Sequence, residues 1–162
     1  MKWSAPTFVA TALLVLAAPA QAIDLDTNAV VNIVEGIEIV EDQQLNFGTL
    51  ALNSGTLSIS SAGVVSDPNN LTADGTSQRE ALFTVTSVTG SVLDVTLVPG
   101  TPPTGLLLQA MQFDFDGTTV NPHTMAGPSA TLAVGAEIVI DRTSANTGNG
   151  QTLPYTVTVA FN

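Results

Sequence analysis

The chain has 162 residues, room for about one domain. It carries 14 Asp plus Glu against 3 Lys plus Arg, and no cysteine. So few cations cannot neutralise a phosphate backbone or cover an anionic membrane surface, which excludes nucleic-acid binding. The lack of cysteine excludes a disulfide framework, thiolate zinc sites and cysteine nucleophiles, and a single histidine, His123, argues against a histidine metal site.

Residues 1–22 have the form of a secretory signal peptide. Lys2 supplies the positive end, Thr11 to Ala18 the apolar stretch, and Ala20-Gln21-Ala22 the small-x-small cleavage site. The apolar stretch is shorter than the roughly 20 residues that span a bilayer, and no stop-transfer pattern follows. The expected mature chain starts at Ile23 with 140 residues. Losing Lys2 leaves two arginines against 14 carboxylates, a formal charge of −12. It is expected to cross a periplasm, to keep no integral membrane segment after cleavage, and to work outside the cell or at its surface.

The next segment alternates. From Ile23 to Ile39 the odd positions are Ile23, Leu25, Thr27, Ala29, Val31, Ile33, Glu35, Ile37 and Ile39, all but Thr27 and Glu35 apolar. Seventeen extended residues at about 3.3 Å each would reach roughly 55 Å, far beyond what one small sandwich can pair. Two readings stand. Either Glu35-Gly36 divides the segment into two strands of one domain, or only Ile37 to Val40 belongs at home. In the second reading residues 25–34, within a 23–36 extension, add as a strand to a neighbouring subunit.

The rest of the chain predicts strands. Valine, isoleucine and threonine make up 43 of the 140 mature residues, a composition that fits pleated, half-buried surfaces better than helices. Thr56 to Ser60 is a short strand with Leu57 and Ile59 inward. Leu82 to Val88 and Val92 to Val98 flank Thr89-Gly90-Ser91, which suits a hairpin connection. Leu106 to Phe115 is long, and Leu132 to Ile140 alternates around a bulge or bend at Gly135-Ala136. The last strand places Leu153, Tyr155, Val157, Val159 and Phe161 on one face and threonines on the other. About seven or eight strands separated by turn-rich segments predict an all-β, two-sheet sandwich over residues 37–162. An outer-membrane barrel would need aromatic girdles, and the mature chain has one Tyr and no Trp.

Four blocks in order carry a family resemblance: Leu45-Asn46-Phe47-Gly48-Thr49-Leu50, then Ala81 to Thr86, Ala130 to Gly135, and Tyr155 to Asn162. With the signal peptide before them, the chain resembles domain-of-unknown-function family 4402. Leu153-Pro154-Tyr155 replaces the Gly-x-Tyr turn usual there before the last strand. The resemblance implies a pilin-like, immunoglobulin-like sandwich with a structural role in bacterial surface appendages, often joined by donor-strand exchange, and no catalytic residues.

Other constellations are weaker. Asp114 and Asp116 in Phe113-Asp114-Phe115-Asp116-Gly117 share a strand face and are the best calcium candidates, although the EF-hand pattern fails. As a glycosidase pair they lack a cleft and sugar-stacking aromatics. His123, after Asn121-Pro122, is expected in a solvent-exposed loop, and no Gly-x-Ser-x-Gly elbow accompanies it. The expectation is therefore a non-enzymatic filament subunit without a cofactor. It would self-associate into a homopolymer or join related subunits through Leu25, Ala29, Val31 and Ile33. The acceptor groove would be lined by Phe47, Tyr155, Val157 and Phe161. The alternative is a monomeric secreted binding module, an adhesin or a calcium-dependent carbohydrate binder.

Overall fold

Two alternating apolar series in the long central strand organise everything around it. The computed structural model describes residues 36–73, 77–148 and 150–162. The expected signal peptide and the part of the extension with Leu25, Ala29, Val31 and Ile33 lie outside the described residues. Nine strands follow in order: β1 (Glu38–Gln43), β2 (Gly55–Ile59), β3 (Val65–Ser66), β4 (Ala81–Thr86), β5 (Val92–Pro99), β6 (Leu106–Phe115), β7 (His123–Thr124), β8 (Ser129–Ile140) and β9 (Tyr155–Phe161). The described residues contain no helix. They form an all-β sandwich of a six-stranded and a three-stranded sheet, in which every strand pair is antiparallel.

β8 is the axis of the larger sheet. Its even positions, Ala130 through Ile140, are all buried, as period two requires of a strand covering a core. β6 pairs along one flank. On the other flank β4 pairs with the first half and β2 with the second, with β1 and β3 outside them. Gly135 sits where β4 gives way to β2, and a Cβ there would run into the Ile59 carbonyl and the Ser60–Ser61 backbone. The expected bulge lies opposite, in β6, where the register slips between Gln109 and Gln112 and Ala110 has a φ of 47°. The extra residue is what brings even Leu108 and odd Met111, Phe113 and Phe115 to the same apolar side.

The smaller sheet has the order β7-β5-β9. It covers a first core built on Phe83, Val85, Leu93, Phe115, Leu132 and Val134. A second core, with Leu57, Ile59, Leu71, Leu108 and Ile138, is roofed mainly by irregular chain, with Tyr155 at the start of β9 packed against it. The Leu45-Asn46-Phe47-Gly48 segment supplies that roof. Asn46 exchanges backbone hydrogen bonds with Arg79 (3.0 and 2.9 Å), and its Oδ1 accepts from the Gly48 N–H at 2.7 Å. That side-chain turn sets Gly48 at a φ of 74°, a glycine conformation, and drops Phe47 into the core at 7% exposure. Asp67 fixes the neighbouring loop by accepting from the Leu71 and Thr72 N–H groups at 2.8 Å each, and these bonds hold its carboxyl below the usual range.

Two local expectations are corrected. Thr89-Gly90-Ser91 does not close a hairpin. Both edges of β4 are taken by β1 and β8, so the chain crosses to the other sheet before β5 begins. His123 is not a solvent-exposed loop residue. The Asn121 side chain bonds both the N–H and the carbonyl of Val95 (3.0 Å each) and ties this segment to β5. The chain then pairs as β7 and turns His123 inward, 9% exposed, onto the Phe115 ring with centroids 4.3 Å apart. This stack ties the β6 side of the larger sheet to the β7 side of the smaller one.

Two stability outcomes follow from these contacts. Phe115→Ala removes the ring that fills the first core and closes this side, and should cost about 3–5 kcal/mol in chemical denaturation. Asn46→Ala should cost about 1 kcal/mol, the value of the lost turn bond, without altering the strand content seen by circular dichroism.

Candidate functional site: an open groove between β1 and β9

The side opposite the Phe115–His123 stack is not closed. β9 pairs with β5 along one edge, and no strand among the described residues pairs with the other. Asn162 donates to the Val92 carbonyl and Gly100 donates to that of Pro154, so the even positions of β9 point toward β5. By strand alternation the N–H and C=O groups of Tyr155, Val157, Val159 and Phe161 point to the open edge. β1 is in the same situation on the larger sheet. It pairs only with β4, and five of its six residues are exposed although Ile39 and Val40 are apolar.

Between these two edges runs a groove of two consecutive hollows. The larger, about 840 Å³, lies between the 44–52 segment and the 145–153 approach to β9, with Phe47, Leu50, Ile138 and Leu153 among its walls. The smaller, about 300 Å³, is lined by Ile39, Glu41, Phe83, Tyr155 and Val157. Glu41 and Tyr155 border both, so the two hollows adjoin. Along the groove β1 advances from Ile39 to Gln44 while β9 goes back from Val157 to Leu153, so the two edges run in opposite directions.

Tyr155 is the chemical singularity of the groove. Its hydroxyl is shielded from solvent and has no hydrogen-bond partner among the described residues. Loss of solvation, with the nearby Glu41 carboxylate second, pushes its pKa up to about 12. It is the only tyrosine in the chain.

Of the expected groove residues, Phe47, Tyr155 and Val157 are brought together there. Phe161 is not: it lines neither hollow and stands 46% exposed at the far end of β9, beyond Val157. Ile39, Phe83, Leu50 and Leu153 complete the walls and escaped the sequence reading. The alternation of Ile37 and Ile39 and the position of Leu153 on the face of Tyr155 were the available signals. Asp114 is engaged in the turn after β6 and Asp116 is tied to β8. Asp114 Oδ1 accepts from the Gly117 N–H at 2.6 Å, and Asp116 Oδ1 accepts from the Thr131 N–H at 3.0 Å. No three metal-ligating side chains cluster among the described residues.

The Tyr155 environment gives a direct measurement. With a folded pKa above the unfolded value near 10, the neutral phenol stabilises the fold, and that contribution is lost as pH rises from about 10 through about 12. Tyrosinate absorbance of the leaderless chain should rise about two units later than that of the denatured chain. Glu41→Gln should bring the folded midpoint down toward the ordinary value, leaving the burial effect in place.

Neither a curated protein nor a solved structure matches this chain. The family described as Domain of unknown function (DUF4402) matches residues 37–161, from one residue before β1 to the last residue of β9. The chain belongs to that family.

Proposed function

We propose that this chain is a structural subunit of a bacterial extracellular or cell-surface filament, joined when residues 25–34 of one subunit add as a strand to the next. The observation that carries the reading is that, among the described residues, β1 and β9 each leave one edge unpaired beside an open apolar groove. β9 offers unpaired backbone groups and half-buried Tyr155, Val157 and Val159 side chains on the same residues, above a floor that includes Phe83. An added strand would extend the three-stranded sheet, cover β1 and lie in the groove. Backbone bonds give such a contact its affinity, and alternate side chains entering hollows give it selectivity.

The extension outside the described residues has the matching pattern. Leu25, Ala29, Val31 and Ile33 lie on one face of an extended segment. Burying each Leu, Val or Ile contributes about 1.5–3 kcal/mol, which adds to the backbone bonds of the new pairing against the cost of ordering the segment. The expected signal peptide supports an exported role.

The leaderless protein should give a ladder on an unheated SDS gel that collapses on boiling. Deleting residues 23–34 should abolish the ladder while circular dichroism shows the sandwich intact, and Val31→Asp should do the same with the full length retained. Monomer bands for the full chain and the truncation alike would overturn the proposal and turn attention to a ligand for the groove.

A further inference from the structure

The large hollow keeps a cation at one end and a carboxylate at the other, and that separation specifies what it can hold. We infer that it is a binding site for a small amphipathic anion, an unbranched apolar chain ending in one carboxylate. The carboxylate is held at Arg79, and the chain lies over Phe47 and Leu153 toward Tyr155. Strand addition is not required for this, because the wall that leads into β9 is irregular chain rather than strand.

Size and walls come first. At about 840 Å³ the hollow is within the range of sites that enclose small organic ligands. Its floor is apolar. Phe47, Ile138 and Ile140 are buried there, with Leu50, Leu106 and Leu153 half-buried around them. An apolar tail laid across these side chains leaves water and covers surface that no described strand covers.

Charge selects the head group. The expected mature chain has two cations against 14 carboxylates, and both cations are at this hollow. Arg79 lines it. Arg142 stands just outside, where its backbone N–H donates to Ser54 Oγ at 3.0 Å. That bond joins the chain just past Leu52 of one wall to the chain just before Ala145 of the other. Neither arginine is neutralised by the acid beside it in sequence. The Glu80 carboxylate lies against Gly63, away from the hollow. Asp141 accepts from the Thr143 hydroxyl, the Ser144 hydroxyl and the Thr143 N–H at 2.7, 2.7 and 2.9 Å, bonds that hold its carboxyl below the usual range. Neither guanidinium has a hydrogen-bond or ion-pair partner among the described residues.

Glu41 is the one carboxylate among the described wall residues, and it is at the other end. In register Glu41 faces Phe83 and Asn46 faces Arg79, so the two charges are set four residues apart, roughly 13 Å. A monoanion is drawn to Arg79 and repelled by Glu41, which fixes the direction in which the ligand lies. Arg79 is solvent-exposed, so the ion pair adds selectivity and the buried tail supplies most of the affinity.

The probe is dodecanoate, kept below its micelle concentration and titrated into the leaderless full-length chain carrying Val31→Asp, so that no added strand occupies the groove. Calorimetry gives the affinity. Tyr155 fluorescence reports occupancy, since it is the only tyrosine and the expected mature chain has no Trp. Each methylene removed from the probe should weaken binding by about fourfold at most. Arg79→Gln should weaken dodecanoate about threefold to fivefold at low salt and leave dodecanol unchanged. Arg142→Gln should cost less than Arg79→Gln, because Arg142 does not line the hollow. Equal binding of dodecanoate and dodecanol, or an unchanged dodecanoate affinity in Arg79→Gln, would overturn recognition of the carboxylate. No binding by either probe, with circular dichroism showing the sandwich intact, would overturn the site altogether. Both outcomes are separate from the gel ladder that decides strand addition, which is read on the chain without Val31→Asp.

Discussion

A three-stranded layer cannot cover a six-stranded one, and the arrangement of this molecule is a set of answers to that mismatch. Over the first core the small sheet suffices. Over the second, the Asn46 turn and the 67–72 loop hold Phe47 and Leu71 in place of a sheet. On the β6 side the Phe115–His123 stack closes the gap. On the β1 side nothing among the described residues performs that task, and the half-buried faces of Tyr155, Val157 and Val159 are the result. The groove is thus not a dent in a finished sandwich but the place where its second layer ends early.

The sequence carried most of the strand pattern and little of the pairing. Strong alternation located Leu57 and Ile59 and the buried face of β8, because period two with one apolar side leaves little freedom; the extent of β6 was legible but its register was not, since a bulge breaks the period between Gln109 and Gln112. Pairing depends on which edges are already occupied, which no local pattern encodes. That is why Thr89-Gly90-Ser91 suggested a hairpin where the chain changes sheets. His123 was misplaced for a related reason: Asn121 acts on Val95, 26 residues away, and nothing near His123 in sequence announces the bond. Tyr155 and Val157 were legible from alternation as part of the inward face of the last strand. Phe161 shared the alternation but lies past the end of the groove, a limit set by where the opposite sheet stops.

An open edge with apolar side chains is a hazard in any soluble domain, since it can template unwanted pairing. Here the edges carry their own restraint. β9 is preceded by Pro154, which has no N–H to offer. β1 carries Glu38, Glu41 and Asp42 among its six residues. A strand arriving along the groove must pass beside Glu41, whose carboxylate already disfavours charge on Tyr155. The expected mature charge of −12 adds repulsion between copies.

That repulsion does not conflict with the proposed self-assembly, because the two effects act over different ranges. At physiological salt, exposed charges are screened beyond about 8 Å, so they slow and filter encounters more than they oppose a formed contact. Burial of apolar side chains and pairing of backbone groups act only in contact, and an alternating segment gains both together. A random edge would bring its own backbone groups without side chains spaced for the two hollows, and would meet the acidic lip without that gain. On the proposed reading, selectivity on this surface would therefore come from requiring several small, short-range contributions at once. Negative charge supplies the threshold they have to exceed.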